Sequence, residues 1–129
     1  MIKGRKIQDM QKIYYLSSCS TCIRIIKDLE LKNKTFEFQD IKTEKISPAE
    51  LSEMKKMAGS YEALFSRVAL KYRALELDKM QLTENDYKKY ILEEYTFLKR
   101  PVIIIGDKIF IGNSKNTIAA VKAALATMP

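Results

Sequence analysis

Apolar and polar residues follow two different periods along this chain, and together they predict a mixed α/β protein. Four short runs, either continuously apolar or alternating, are typical of strands; they occupy 13–16, 35–39, 102–105 and 108–111. Apolar residues at helical spacing fill the stretches between and after them. The predicted order is strand, helix, strand, several helices, strand, strand, helix, with the first two strands parallel across a right-handed connection.

The predicted first helix, 20–32, carries one apolar face made by residues at helical spacing: Cys22, Ile25, Ile26 and Leu29. Residues 106–107 are Gly-Asp, a two-residue hairpin signal between the last two strands. The chain then ends in a helix with Ile118, Val121 and Leu125 on one side.

Residues 47–95 predict a helical insert between the second and third strands. Ser47-Pro48-Ala49-Glu50 is a strong helix start, and Gly59 is a natural helix stop. A second helical run is expected from residue 60, with Tyr61, Leu64, Phe65 and Val68 in register. A third begins at the capping pattern Thr83-Glu84-Asn85-Asp86.

The domain organisation predicted from these patterns is simple. Residues 1–11 lack a clear period and are expected to form a flexible extension. Residues 12–129 are expected to form a single domain, of which 47–95 is the insert, because no linker rich in Pro or Gly separates them.

Composition narrows the class of protein. The chain has 129 residues, 47% of them hydrophobic and 30% charged, which is typical of a globular domain. No apolar run is long enough to span a membrane, and no secretion signal is apparent, so a cytoplasmic protein is expected. The net charge is +7. However, no basic cluster interleaved with aromatic residues is present, so direct binding of nucleic acid is not expected.

Both cysteines of the chain lie in one motif, Cys19-Ser20-Thr21-Cys22, at the predicted strand-to-helix junction. This arrangement is typical of a dithiol redox site, since the helix N-terminus stabilises a thiolate at Cys19. The helical pattern turns Cys22 inward. Cys19 is therefore the predicted nucleophile, and Cys22 the predicted resolving thiol.

The chain has no histidine. This excludes Ser-His-Asp and Cys-His catalytic sites and a Cys-x-x-Cys-His haem attachment. Two cysteines do not complete a structural zinc site, so no metal is expected. A zinc ion shared between two copies of the chain is the alternative left open.

Three features in this order resemble the glutaredoxin-type arsenate reductase family, which includes the Spx-type transcriptional regulators. They are the Cys19–Cys22 pair, Arg67 in the insert, and Arg100-Pro101 before the third strand. The resemblance extends over about 12–125. It implies a thioredoxin-like fold with a mixed four-stranded sheet.

The resemblance also implies roles for individual residues. Arg100 and Arg67 would support the Cys19 thiolate or an oxyanion substrate such as arsenate, and Pro101 would be cis. Support of the site is expected from Ser18, Ser20 and Thr21. No bound cofactor is expected; an external thiol system, glutathione with glutaredoxin or thioredoxin, would supply electrons. For Arg67, a surface or insert-docking role is the alternative.

The chain departs from the family's reductases at three places. Tyr15 replaces a His four residues before the nucleophile, and Ile23 replaces an Arg four residues after it. The segment 112–114, Gly-Asn-Ser, stands where a third Arg is found. Cys22 is an internal resolving thiol, whereas the family's reductases generally draw this thiol from glutathione.

Two other functions are weighed against a thiol-disulfide oxidoreductase. The Cys-x-x-Cys variant resembles the Spx-type regulators, which bind the C-terminal domain of the RNA polymerase α subunit. In those regulators a glycine eight residues before the insert arginine contributes to the contact, and Gly59 stands at that position here. A vestigial scaffold, in which Cys19 reacts no faster than a free thiol, is the third hypothesis.

Overall fold

The computed structural model describes residues 11–127 of the chain. Within them, short 3₁₀ turns join four strands and five α-helices. In chain order these are β1 (Gln11–Tyr15), α1 (Ser20–Asp28), β2 (Glu37–Asp40), α2 (Pro48–Ala58), α3 (Leu70–Ala74), α4 (Glu84–Glu93), β3 (Val102–Ile105), β4 (Lys108–Ile111) and α5 (Lys115–Ala126).

The four strands form one mixed sheet with the order β2-β1-β3-β4. β1 pairs in parallel with β2 and antiparallel with β3, so Ile13 lies between Phe38 and Ile103. β3 and β4 form a hairpin that turns at Gly106, whose φ of +64° explains why glycine is suited there. This confirms the thioredoxin-like α/β fold predicted from the sequence.

The described residues separate into two compact units. The first contains the sheet, α1 and α5, and consists of the described residues up to Glu44 together with those from Arg100 onward. Its core is apolar and is built from both helices and the central strands; the buried members are Ile13, Ile25, Ile26, Leu29, Leu31, Ile103 and Val121. Ile13 and Ile103 are buried in this core because they lie on the two inner strands of the sheet, β1 and β3.

The second unit, Lys45–Lys99, contains α2, α3 and α4. The predicted capping box at the start of α2 is present: the Ser47 hydroxyl accepts from the Glu50 N–H, and the Glu50 carboxylate accepts from the Ser47 N–H. α2 ends at Gly59 with a φ of +96°, the left-handed conformation that favours glycine. A second capping box starts α4 at Thr83, also as predicted.

The helical run predicted from residue 60 is wrong in its middle. A short 3₁₀ turn, Glu62–Leu64, is followed by extended backbone at Phe65, which forms a β-bridge with Leu98. Val68, expected on the buried face, is 91% exposed. Long-range pairing of the backbone on both sides of Phe65 overrides the helical spacing, and α3 starts only at Leu70.

The predicted N-terminal extension, 1–11, lies outside the described residues except for Gln11, which is the first residue of β1. The prediction of one domain with an insert at 47–95 stays a prediction. Among the described residues, no helix is long and apolar enough to cross a membrane.

Candidate active site

Cys19 lies at the point where the chain leaves the sheet and enters α1. After β1, the chain turns at Ser17 and Ser18, and the Cys19 N–H donates to the Leu16 carbonyl oxygen (2.9 Å). Cys19 is the N-cap residue of α1, with extended backbone angles (φ −93°, ψ 109°). Its side chain is partly exposed, so the sulfur is accessible at the positive end of a nine-residue helix.

The pKa of the Cys19 thiol is lower than that of an ordinary cysteine. Partial burial acts in the opposite direction and is the largest single influence. The N–H and S–H of Cys22, the N–H of Thr21 and the positive charge of Arg100 together outweigh it. The Cys19 side chain makes no full capping hydrogen bond. These donors therefore interact more strongly with the negative thiolate than with the neutral thiol, and they favour ionisation of Cys19.

Cys22 has the opposite properties. It is fully buried, and burial is the main reason that its pKa is raised to about 11; the neighbouring Cys19 raises it further. The Leu16 backbone and Arg100 act against this rise. Both cysteines are free thiols in the structure. At neutral pH the motif therefore holds an accessible thiol poised to ionise beside one that stays protonated.

Arg100 and Pro101 stand immediately before β3, and the peptide bond between them is cis. This is the geometry that the family resemblance implies. The Pro101 carbonyl oxygen accepts from the Gly112 N–H (2.9 Å), which ties this turn to the end of β4. The Arg100 charge lowers the pKa of both cysteines, so the structure brings the predicted residues Cys19, Cys22 and Arg100 together in the first unit.

Arg67 belongs to the second unit and has partners there. Its Nη2 donates to a Glu62 carboxylate oxygen (2.8 Å) and to the Tyr87 hydroxyl oxygen (2.9 Å). The guanidinium also lies 5.6 Å from the Tyr87 ring centroid, within cation–π range. The Glu62 bond is the main reason that the pKa of Arg67 is raised. These partners all belong to the second unit, and both the role of Arg67 at the thiolate and its alternative stay predictions.

The remaining predicted support residues differ in what they contribute. Thr21 acts through its backbone N–H, which faces the Cys19 sulfur. Ser18 and Ser20 are exposed, and neither hydroxyl forms a hydrogen bond with a residue that the structure describes. At the departures from the family pattern, Tyr15 packs edge-on against Phe38 with centroids 6.0 Å apart, and Ile23 is 44% exposed.

The sequence pattern did not reveal Asp40, the last residue of β2. Its Oδ1 accepts from the N–H of Ser17 (3.3 Å), within the loop that leads to Cys19. The signal was present in the predicted parallel pairing. Parallel strands end at the same edge of a sheet, so the polar residue at the end of β2 lies beside the end of β1.

Within residues 11–127, no group of three or more Cys, Asp and Glu side chains is arranged to hold a metal ion. The candidate site brings together two sulfurs, backbone N–H groups and one guanidinium.

The fold and the paired cysteines define a thioredoxin-like domain with a dithiol at the start of α1. The model of the ArsC family matches residues 14–121, which include the dithiol, the insert and the Arg100-Pro101 turn. The chain therefore belongs to the ArsC family, as its sequence pattern predicted. No curated protein matches the chain.

Solved structures share the fold of this chain. An arsenate reductase from Vibrio cholerae has a TM-score of 0.73 at 17% identity, and the match covers 88% of this chain and 98% of that one. The protein SACOL0876 from Staphylococcus aureus COL has a TM-score of 0.69 at 25% identity, covering 86% and 97%. An arsenate reductase related protein from Brucella melitensis has a TM-score of 0.67 at 23% identity, covering 86% and 92%. At these identities the likeness shows the fold.

Proposed function

We propose that this protein is a thiol-disulfide oxidoreductase of the ArsC family that works through an internal dithiol. In this proposal Cys19 is the nucleophile, Cys22 is the resolving thiol, and Arg100 stabilises the negative charge at the sulfur. Its environment is a reducing compartment such as the cytoplasm, where closely spaced cysteines serve redox chemistry.

The observation that carries the proposal is that the two thiols of one motif differ in pKa. The pKa of Cys19 is lowered, whereas burial raises the pKa of Cys22 to about 11. A nucleophile needs to be accessible and ionised near neutral pH, and a resolving thiol needs to stay unreactive until the first bond has formed. A merely structural pair of buried cysteines would not differ in this way.

The first step is an attack by the Cys19 thiolate on one sulfur of a substrate disulfide. A Cys19–substrate disulfide forms, the substrate S–S bond breaks, and the other substrate sulfur leaves as a thiolate that takes up a proton. The N–H groups of Thr21 and Cys22 hold the Cys19 thiolate before the attack.

In the second step Cys22 attacks the Cys19 sulfur. The first step has by then removed the negative charge of Cys19, one of the influences that raise the pKa of Cys22. Cys22 therefore loses its proton more readily in the mixed disulfide than in the free dithiol. The second substrate thiolate leaves and is protonated, so the substrate gains two electrons and two protons while the Cys19–Cys22 disulfide forms.

An oxyanion such as arsenate fits the same scheme. Attack of the Cys19 thiolate on arsenic forms an S–As bond and expels one protonated oxygen as water. Attack of Cys22 on the Cys19 sulfur then forms the S–S bond and breaks the S–As bond, whose electron pair stays with arsenic, so that arsenite leaves. Arg100 would hold the negative oxygens, and we propose Arg67 as a second cationic support on the strength of its place in the family pattern. An external thiol system, glutathione with glutaredoxin or thioredoxin, returns the disulfide to the dithiol.

The test uses two single variants with a disulfide substrate and with arsenate. Cys19→Ser is expected to abolish reduction, while Cys22→Ser is expected to stop after one step and accumulate a Cys19 mixed disulfide that mass spectrometry detects. Unchanged turnover in Cys19→Ser contradicts the proposal. A fully active Cys22→Ser variant contradicts the role of the resolving thiol.

The second candidate function is an Spx-type redox regulator, and the placement of Gly59 favours testing it. A Cβ at this position would meet no atom within 4 Å, so the glycine is not required by close packing. Its φ of +96° already accounts for it as a helix end. Contact with the RNA polymerase α subunit therefore stays a prediction.

The regulator hypothesis is tested by capture of the protein on the C-terminal domain of the RNA polymerase α subunit, with the dithiol reduced and oxidised. Binding in one redox state, lost in Gly59→Asn, supports it, because asparagine tolerates the left-handed backbone but adds a side chain. No binding in either state rules it out.

A further inference from the structure

We propose that Asp40 is a positioning residue for the nucleophile: its carboxylate holds the Ser17 segment of the loop that presents Cys19 at the start of α1. This inference rests on the proposed role of Cys19. It assigns a function to a residue of β2 that lies far from the cysteine motif in sequence.

The first support is the placement of Asp40 in the sheet. It is the last residue of β2, and it stands opposite Tyr15, the last residue of β1. The next residue, Ile41, donates its N–H to the Tyr15 carbonyl oxygen (2.9 Å) and completes the pairing. Asp40 is thus fixed by the sheet at the edge where the reactive loop begins.

The second support is the hydrogen bonding of the carboxylate. Oδ1 of Asp40 accepts from the N–H of Ser17 (3.3 Å) and from the N–H of Lys42 (3.2 Å). The Lys42 bond orients the carboxylate from its own strand end, and the Ser17 bond reaches across to the loop. The Ser17 hydroxyl is the main reason that the pKa of Asp40 is lowered, so the loop binds the charged form.

The loop starts at the buried residue Leu16, and few other contacts constrain Ser17 and Ser18 among the described residues. Between β1 and α1, the Cys19 N–H bonds to the Leu16 carbonyl oxygen, and Asp40 holds Ser17. Ser17 and Ser18 are both exposed, so packing does not immobilise them. Without the carboxylate, Ser17 would lose its contact with the end of β2, and Cys19 would spend less time facing the N–H groups of Thr21 and Cys22.

This role predicts the opposite sign from a simple charge effect. If Asp40 acted only as a negative charge near the sulfur, its removal would favour the Cys19 thiolate and speed alkylation. If it positions the loop, removal of the acceptor slows alkylation, whereas an uncharged acceptor in its place preserves the rate.

The experiment measures the rate of Cys19 alkylation against pH in a Cys22→Ser background, for Asp40→Ala, Asp40→Asn and the control Asp28→Ala. Asp28 is an exposed carboxylate at the end of α1 without a partner among the described residues, so its loss removes the same charge. We expect Asp40→Ala to slow alkylation near pH 7 at least about threefold and to move the rate profile to higher pH. Asp40→Asn and Asp28→Ala are expected to match the parent.

An unchanged rate in Asp40→Ala overturns the proposal, and so does faster alkylation in both Asp40 variants. A measurement on the unaltered protein covers the case in which Asp40→Ala does not fold. The amide proton resonance of Ser17 is expected to shift with the titration of the Asp40 carboxyl, and independence of the two contradicts the hydrogen bond. If Cys19 of the parent alkylates no faster than free cysteine, the proposed function fails, whatever Asp40 does.

Discussion

At the scale of single residues, two cysteines three positions apart acquire different chemistry from their surroundings. Cys19 lies at the N-terminus of α1, where the charge of Arg100 lowers its pKa, and Cys22 is fully buried. The sequence predicted this division, because helical spacing alone turned Cys22 inward. It did not reveal Asp40, since the contact of this carboxylate with Ser17 depends on the pairing of β2 with β1.

Arg100 offers a test of charge at this scale. Its positive charge lowers the pKa of Cys19, so Arg100→Met is expected to raise that pKa and slow alkylation near neutral pH by about two- to fivefold. Arg100→Lys, which keeps a charge, is expected to recover part of the rate. Arg24→Met, which removes a positive charge from an exposed position of α1, serves as the control. Equal rates in the Met and Lys variants would contradict the charge effect.

At the scale of elements, the starts that depend on neighbouring residues were predicted correctly, whereas a segment that depends on long-range pairing was not. The starts of α2 and α4 were predictable, because a capping box is complete within four residues. The stretch from residue 60 to Val68 was not, because its extended backbone at Phe65 depends on Leu98, over thirty residues later. Apolar spacing alone does not distinguish a helix from a strand segment that is buried by a distant partner.

The α2 cap supports a stability prediction. Ser47→Ala removes the hydroxyl that accepts from the Glu50 N–H, so the free energy of unfolding is expected to fall by about 1 kcal/mol. Chemical denaturation measures this change. Ser52→Ala, inside the same helix and without a side-chain hydrogen bond to a described residue, is the matched control and is expected to be neutral or slightly stabilising. Equal destabilisation in both variants would mean that the cap contributes nothing.

At the scale of the whole molecule, the predicted functional residues fall into two compact units. Cys19, Cys22 and Arg100 lie in the first unit, and Arg67 lies in the second, bonded to Glu62 and Tyr87. The resemblance to the family made Arg67 a candidate for support of the thiolate or an oxyanion. It could not supply these partners, because they depend on how the second unit folds.

The variant Arg67→Met tests whether the second unit contributes to catalysis. If Arg67 supports an oxyanion, the variant raises the KM for arsenate roughly tenfold, the scale of one lost hydrogen bond to a charged group. Arg73→Met, on the exposed part of α3, is the control. Thermal unfolding is followed in parallel, because Arg67→Met also removes the bond to Glu62. A lowered melting temperature with unchanged KM would assign Arg67 to the stability of the insert.

The central claim is that Cys19 is an activated nucleophile and Cys22 a protected resolving thiol. It is tested most directly by following alkylation of each cysteine in the reduced protein across about pH 4 to 10, with mass spectrometry to separate the two sites. We predict that Cys19 reacts first and that its rate profile lies at lower pH than that of free cysteine, because its pKa is lowered. Cys22, with a pKa of about 11, is expected to stay slow throughout. Equal rates at the two sites, or a Cys19 profile centred at or above that of free cysteine, would contradict the account.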